Sequence, residues 1–128
     1  MTGTAKKLVE RWYETGDTAL LAENIVWDVL ATFPEGGQYV GRQAVEKQFF
    51  PRIKSHFSDY VTHPYSFTAE GNIVATTGVY RVRTRQGQSA DIAFAHFWTV
   101  RDDHISALHQ VADTAAIQKL LVAGEQAS

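Results

Sequence analysis

Residues 90–101 carry apolar side chains on both faces of a predicted strand, and this pattern most limits how the chain can fold. One alternating set is Ile92, Phe94, His96, Trp98 and Val100, and the other is Ala93, Ala95, Phe97 and Thr99. A sheet with one solvated face would have apolar residues in only one of the two sets. One face of this strand therefore meets the core, and the other face contacts something else.

The chain after this strand is predicted to turn, return and end in a helix. Asp102-Asp103 is a turn signal, and residues 105–111 are predicted as the return strand. Asp113-Thr114 is a typical N-cap pair, so a short helix is expected over residues 115–121. This arrangement is typical of the wall of a pocket.

The N-terminal part of the chain is predicted to be mainly helical. A helix over residues 4–15 should end at Gly16, and a short helix over 18–22 should be capped by Asp17 or Thr18. The β-branched and aromatic run 24–32 predicts a strand, followed by a turn at 34–37.

A third helix is expected after Gly41, followed by the rest of the sheet. Val45, Phe49, Ile53 and Phe57 recur at helical spacing, and Pro51 should kink or restart the helix. From Asp59 onward, strands alternate with turns at 70–72 and 86–88. The predicted fold class is α+β, with N-terminal helices packed on a curved, mainly antiparallel sheet.

Composition indicates one domain over residues 1–128 and excludes several classes of function. The chain has no cysteine, which excludes thiolate catalysis and zinc–thiolate sites. Its net charge of −2 gives no attraction to nucleic acid. No segment is apolar enough to be a signal peptide or to span a bilayer, so a soluble, cytoplasmic protein without membrane association is expected. No cofactor is expected.

Five segments in this order carry a resemblance to a known family. They are GD (16–17), VWDV (26–29), FPEGGQYVGRQAV (33–45), FAHFWTVRDD (94–103) and QVADTA (110–115). Together they resemble the SnoaL-like branch of the nuclear-transport-factor-2-like superfamily, which includes ketosteroid isomerases, polyketide cyclases and limonene epoxide hydrolases. The resemblance implies a cone-shaped fold whose mouth admits a small apolar ligand, and a homodimer formed through the outer sheet face.

Asp28 and His96 are the candidate catalytic residues. The resemblance aligns Asp28 with the general-base aspartate of ketosteroid isomerases, although an outward or hydrogen-bonded structural carboxylate is an equally simple explanation. His96 falls at the position of the second acid of those enzymes, and the position of their oxyanion-hole tyrosine falls near Val9. An imidazole between Phe94 and Trp98 should be desolvated and neutral, either as a proton donor or as a core histidine.

Gln110 is the other polar candidate, and its position depends on the hairpin register. The resemblance places it near a catalytic aspartate of the epoxide hydrolases, but an amide cannot act as a base. A two-residue loop would pair His96 with His109 and turn Gln110 away, whereas a three-residue loop with a bulge would pair His96 with Leu108 and keep Gln110 on the His96 face.

Aromatic side chains complete the predicted pocket, and two other hypotheses receive little support. The candidate ligand-binding residues are Trp27, Phe33, Tyr80, Phe94, Trp98 and Gln110. A zinc site of His96, His109 and Asp113 has no recognisable ligand motif, so no metal is predicted. The alternating Arg81, Arg83 and Arg85 are best explained as a solvated outer face.

Three functions follow from these residues. The first is an acid/base isomerase, cyclase or lyase that acts on a small apolar carbonyl compound. The second is a non-catalytic protein that binds a small ligand, and the third is a protein-interaction module that uses the outer face of the sheet. A carboxylate beside His96 in a closed cavity would favour the first, a cavity without one the second, and a filled cone the third.

Overall fold

The first helix begins the fold in the computed structural model, which describes residues 2–127 and the side chains of residues 4–123. Helix α1 spans Thr2–Thr15 and buries Val9 and Trp12. It ends where predicted, because Gly16 adopts φ +63° and its N–H donates to the Trp12 carbonyl over 2.8 Å. A 3-10 turn over Thr18–Leu20 follows, and the Asp17 side chain caps it by accepting the Ala19 N–H.

Six strands form one sheet in the order β2-β1-β6-β5-β4-β3. They are β1 (Leu21–Val29), β2 (Gly37–Val40), β3 (Phe57–Glu70), β4 (Ile73–Thr84), β5 (Ser89–Arg101) and β6 (His104–Ala112). All neighbours are antiparallel except β1 and β6, which run parallel. The α+β class and the mainly antiparallel sheet are confirmed, while β2 and the parallel β1–β6 pair were not predicted.

The helix after β2 is interrupted as Pro51 predicted. It consists of α2 (Arg42–Ala44), a π-helical turn over Val45–Phe49, and α3 (Phe50–Ser55). Proline has no N–H to donate to the preceding turn, so the helix widens before Pro51 and restarts at Phe50, the residue before it. Phe57 is the first residue of β3 rather than part of the helix. A last helix, α4, spans Thr114–Ala127, and Asp113 caps it by accepting the Ala116 N–H.

The β5–β6 hairpin combines parts of both predicted registers. Asp102 and Asp103 both have positive φ, at 51° and 62°, which is typical of a two-residue type I′ turn. Beyond the turn, Ser106 is an extra residue on β6, and the register shifts by one. His96 therefore pairs with Gln110, so the expected pairings with His109 and with Leu108 are both wrong.

The core lies between the inner face of the sheet and helices α1, α3 and α4. Its largest fully buried side chain is Trp98. Along β5 the burial alternates, with Ile92, Phe94, His96, Trp98 and Val100 buried and Phe97 exposed. Among residues 2–127, no helix is long and apolar enough to cross a membrane.

Candidate functional site

A cavity of about 480 Å³ lies between α1, the interrupted helix and the inner face of the sheet. Eight of its eighteen lining residues are aromatic: Trp12, Tyr13, Trp27, Phe49, Phe50, Tyr60, Tyr80 and Trp98. Two charged lining residues, Glu46 and Lys54, are exposed and mark its mouth. All three tryptophans of the chain contact the cavity.

Five polar side chains form a continuous row of hydrogen bonds along the cavity, here called the polar row. The indole N–H of Trp98 donates to the Tyr13 hydroxyl over 3.0 Å, and this hydroxyl lies 2.5 Å from Nδ1 of His96. On the other side of the ring, Nε2 of His96 lies 2.6 Å from the Tyr80 hydroxyl. The amide nitrogen of Gln110 donates to the same Tyr80 oxygen over 3.0 Å.

The sheet register brings these residues together. His96 and Trp98 are two residues apart on β5, so their side chains share a face. Gln110 on β6 lies directly opposite His96, and Tyr80 comes from the neighbouring β4. Tyr13 reaches the same point from the end of α1.

Both ends of the polar row are hydrogen-bond donors. The indole of Trp98 can only donate. At the other end, the backbone N–H of Leu30 donates to Oε1 of Gln110 over 3.2 Å, which turns the amide nitrogen toward Tyr80. Each tyrosine oxygen of the row therefore already accepts one hydrogen bond.

The middle of the row, Tyr13, His96 and Tyr80, is here called the central triad, and it is uncharged. Burial lowers the pKa of His96 from 6.5 to about 3, because desolvation disfavours the imidazolium. Burial also raises the pKa of both tyrosines above the usual value of 10. At neutral pH the triad therefore consists of two phenols and a neutral imidazole, as predicted for His96.

A count of hydrogens shows that the triad has one donor to spare. A neutral imidazole has one N–H and one acceptor nitrogen, so one tyrosine donates to the ring and the other accepts from it. The triad has three polar hydrogens, namely one ring N–H and two phenol O–H groups. Its two internal hydrogen bonds use two of them. The Thr76 hydroxyl lies beside Tyr13 and the Tyr60 hydroxyl beside Tyr80, and the Thr76 hydroxyl is buried without a partner within hydrogen-bond distance.

Asp28 lies on the other face of the sheet, so the expected pair with His96 is not formed. Trp27 and Val29 line the cavity, and successive side chains of a strand point to opposite faces. Asp28 instead accepts from Nδ1 of His109, its neighbour on β6, over 3.0 Å. Both side chains of this pair are about half exposed, at 43% and 55%.

The other predicted site residues divide into two groups. Trp27, Tyr80, Trp98 and Gln110 line the cavity. Phe33 and Phe94 are buried behind it and are not lining residues: Phe33 packs on Tyr80 with ring centroids 5.5 Å apart, and Phe94 stacks on His96 at 4.0 Å.

Sequence reasoning missed Tyr13 as a site residue. The family's tyrosine position was expected near Val9, which is a core residue with no exposed surface. Tyr13 follows Val9 by one helical turn and therefore shares its face of α1. A tyrosine one turn after that position was the signal that could have identified it.

The two alternative sites are not assembled. His96 lies on the inner face of the sheet and His109 on the outer face, and no cluster of three metal-ligating side chains occurs in the described part of the chain. The arginines of β4 and its turn contact polar neighbours: Arg81 lies 3.7 Å from Asp91, and Arg85 donates to the Ser55 carbonyl over 3.0 Å.

The fold and this partly open cavity define a class of small α+β proteins with a pocket on the inner face of the sheet. Residues 6–108 match the SnoaL-like domain family. The chain therefore belongs to the SnoaL-like domain family, and the resemblance is confirmed. Comparison with curated protein sequences finds no match.

Several solved structures share the fold over nearly the full chain. A nuclear-transport-factor-2-like protein of unknown function from Burkholderia pseudomallei has a TM-score of 0.84 at 23% identity, covering 92% of this chain and 97% of its own. TerC, co-crystallized with polyporic acid, gives 0.84 at 19% identity, covering 93% and 98%. A putative SnoaL-like polyketide cyclase from Jannaschia sp. gives 0.78 at 16% identity, covering 95% and 94%.

Proposed function

We propose that the chain binds a small, mainly apolar molecule that carries a carbonyl or similar acceptor oxygen. The observation that supports this proposal is a set of unused hydrogen-bond donors in an aromatic cavity. The central triad has one polar hydrogen more than its two internal hydrogen bonds use, and the buried Nε1–H of Trp27 has no acceptor. A buried donor without a partner costs about 1–3 kcal/mol, which an acceptor oxygen of a ligand would remove.

The size and lining of the cavity suit such a ligand. Its volume of about 480 Å³ is within the usual range for small-molecule sites, which are mostly apolar with a few polar groups. Trp27, Trp98, Tyr80 and Gln110 would contact the ligand directly, while Phe33 and Phe94 would hold the polar row in place from behind. A planar, terpenoid, steroid or polyketide-like molecule fits this description.

For a reaction, we propose that the central triad stabilises negative charge on the carbonyl oxygen of the ligand. Uncharged donors already in position act in this way in isomerisations, cyclisations and eliminations that pass through an enolate. His96 would take part through the hydroxyls on either side of it, since both ring nitrogens are already engaged.

Non-catalytic binding is the second candidate function. Its support is that Glu46, the one carboxylate among the described lining residues, is exposed at the mouth rather than beside His96. An unfilled cavity gives no support to the third hypothesis, a pure protein-interaction module. The names of two fold neighbours, a polyketide cyclase and a protein crystallized with polyporic acid, agree with a small-molecule ligand.

The test is a titration of the protein with 1-tetralone, a bicyclic ketone, and with tetralin, its hydrocarbon counterpart. Tryptophan emission is the readout, because all three tryptophans line the cavity. The ketone should bind about tenfold more tightly, which corresponds to one additional hydrogen bond. Val122→Ser, at a half-exposed position of α4 outside the cavity lining, is the control and should not change either affinity.

Two results would contradict the proposal. Saturable quenching by neither compound would mean that the cavity does not bind molecules of this class. Equal affinity for the ketone and the hydrocarbon would mean that the free donors do not contact the ligand.

We also propose that the chain forms a homodimer through the outer face of the sheet. Phe97 on β5, Val26 on β1 and Ile73 on β4 are large apolar residues with at least about a third of their surface exposed, at 43%, 36% and 43%. A twofold interface needs only one self-complementary surface and would cover them. Such an interface should bury at least about 1,000 Å² in total.

A further inference from the structure

We propose that Lys54 makes the cavity selective for ligands that carry a carboxylate or another anionic group at the mouth. This inference rests on the proposed binding of a small carbonyl compound, and it specifies that compound as an acid. The observation that carries it is an ammonium group that lines the mouth and has no carboxylate partner among the described side chains.

Lys54 lies against the aromatic wall of the cavity. Its Nζ is 5.5 Å from the centroid of the Phe50 ring, and both residues line the cavity. Phe50 in turn packs on Trp27, with ring centroids 5.6 Å apart. A contact between an exposed ammonium group and a phenyl ring is weak, so Nζ is positioned at the mouth but remains available to a carboxylate.

Glu46 is the other charged lining residue, and it does not neutralise Lys54. The two residues are eight positions apart on the interrupted helix, and at about 1.5 Å per residue their backbones are roughly 12 Å apart. Exposed charges at this distance are largely screened at physiological ionic strength, where the Debye length is about 8 Å. An anion in contact with Lys54 would therefore be attracted by Lys54 more than it is repelled by Glu46.

The helical segment at the mouth is basic, although the whole chain has a net charge of −2. Residues 42–55 contain one anionic residue, Glu46, and four cationic ones: Arg42, Lys47, Arg52 and Lys54. Arg85 adds a cation at the end of α3, where it donates to the Ser55 carbonyl, and Glu35 at the same end is paired with His56 over 2.8 Å. Because a basic region raises the local concentration of anions, this side of the mouth favours an anionic group over a cationic one.

The interior of the cavity determines which end of the ligand is charged. Apart from Glu46 and Lys54, the described lining residues carry no charge at neutral pH, since the central triad is neutral. A carboxylate buried there would lack a cationic partner, whereas one beside Lys54 would have a partner and remain partly hydrated. The carbonyl oxygen would therefore lie inside, near the spare hydrogens, and the anionic group at the mouth.

The test compares charged and uncharged forms of one bicyclic ketone: 1-tetralone carrying a carboxylate, a primary amide or an aminomethyl group. Each compound is made as the 6- and the 7-isomer, because the two isomers direct the group differently from the carbonyl. Binding is followed by tryptophan emission, as for 1-tetralone.

In the parent protein at low ionic strength, at least one carboxylate isomer should bind about threefold to fivefold more tightly than its amide, as expected for a solvent-accessible ion pair. The aminomethyl cation should bind no more tightly than the amide. In ~0.5 M salt, the preference for the carboxylate should fall below about twofold, because the ion pair is screened.

Two lysine substitutions separate a direct contact from the general charge of the protein. Lys54→Met keeps an unbranched side chain next to Phe50 but removes the charge, so the preference for the carboxylate should disappear while the affinity for 1-tetralone stays within about twofold. Lys119→Met is the matched control. It changes the net charge by the same amount at an exposed position of α4 outside the lining, and it should keep the preference.

The outcomes are distinguishable from those of the test of ligand binding. If 1-tetralone binds more tightly than tetralin but neither carboxylate isomer binds more tightly than its amide, the inference is refuted while the proposed function stands. Tightest binding of the aminomethyl cation would refute it as well, and would assign the selectivity of the mouth to Glu46. A preference that survives in Lys54→Met, or that is lost equally in Lys119→Met, would show that Lys54 does not contact the anionic group.

Discussion

Burial of His96 predicts that the protein loses stability as the pH falls below 6.5. In the native state burial lowers the pKa of His96 to about 3, whereas in the unfolded chain the group has its ordinary pKa of 6.5. Between these two values the unfolded chain binds one more proton than the native state, so acid favours unfolding. The linkage relation gives a loss of about 1.4 kcal/mol per pH unit well below pH 6.5, and about 2 kcal/mol in total between pH 7.5 and pH 5.

The assay is urea unfolding of the parent protein and of His96→Gln, followed by far-ultraviolet circular dichroism at a series of pH values. Glutamine keeps a donor and an acceptor but does not titrate. The other four histidines, including His56 next to Glu35 and His109 next to Asp28, are the same in both proteins. Their effects therefore cancel in the difference between the two free energies of unfolding.

Between pH 7.5 and pH 5, the free energy of unfolding of the parent protein should fall by about 2 kcal/mol more than that of His96→Gln. Since small domains are stable by about 5–15 kcal/mol, a change of this size is readily measured. If the free energy of unfolding depended on pH in the same way in both proteins, His96 would accept a proton as easily in the native state as in the unfolded chain. The ring would then not be a neutral member of the central triad.

Three further predictions concern packing and assembly. Trp98→Ala should reduce the free energy of unfolding by about 3–5 kcal/mol, measured in urea, and saturating 1-tetralone should restore part of it; an unchanged value would mean that Trp98 is not in the core. Gly78→Ala should lower the melting temperature strongly, because a Cβ there would lie 2.2 Å from the His63 carbonyl oxygen and 2.8 Å from the Phe94 ring; melting like the parent would show that β3 and β4 are further apart. Light scattering should give about twice 14.3 kDa for the parent and 14.3 kDa for Phe97→Asp, and a monomeric parent would rule out the dimer.

Periodicity in the sequence was sufficient to predict most of the elements and much of the site. The alternation along residues 90–101 correctly placed His96 and Trp98 on one buried face and Phe97 on the other. Helix ends at Gly16 and Asp113 were predictable because their caps depend on residues close in sequence. Local patterns of this kind need no knowledge of distant contacts.

Pairings between distant segments were decided by the tertiary structure. The parallel β1–β6 pair determines which face of β1 points inward, and it places Trp27 in the cavity and Asp28 outside. Adjacent strand residues cannot share a face, so only one of these two could be a site residue. The extra residue Ser106 likewise decided the register of Gln110.

The sequence by itself determined the composition of the site: a histidine without a charged partner nearby in sequence, set among aromatic residues that must be buried. The tertiary structure decided which hydroxyls flank that histidine, because Tyr13 and Tyr80 come from α1 and β4, far from β5 in sequence. Hydrogen bonds as short as those in the polar row require atoms positioned to within a few tenths of an ångström. Such precision comes from the packing of the helix against the sheet, which no local pattern of residues specifies.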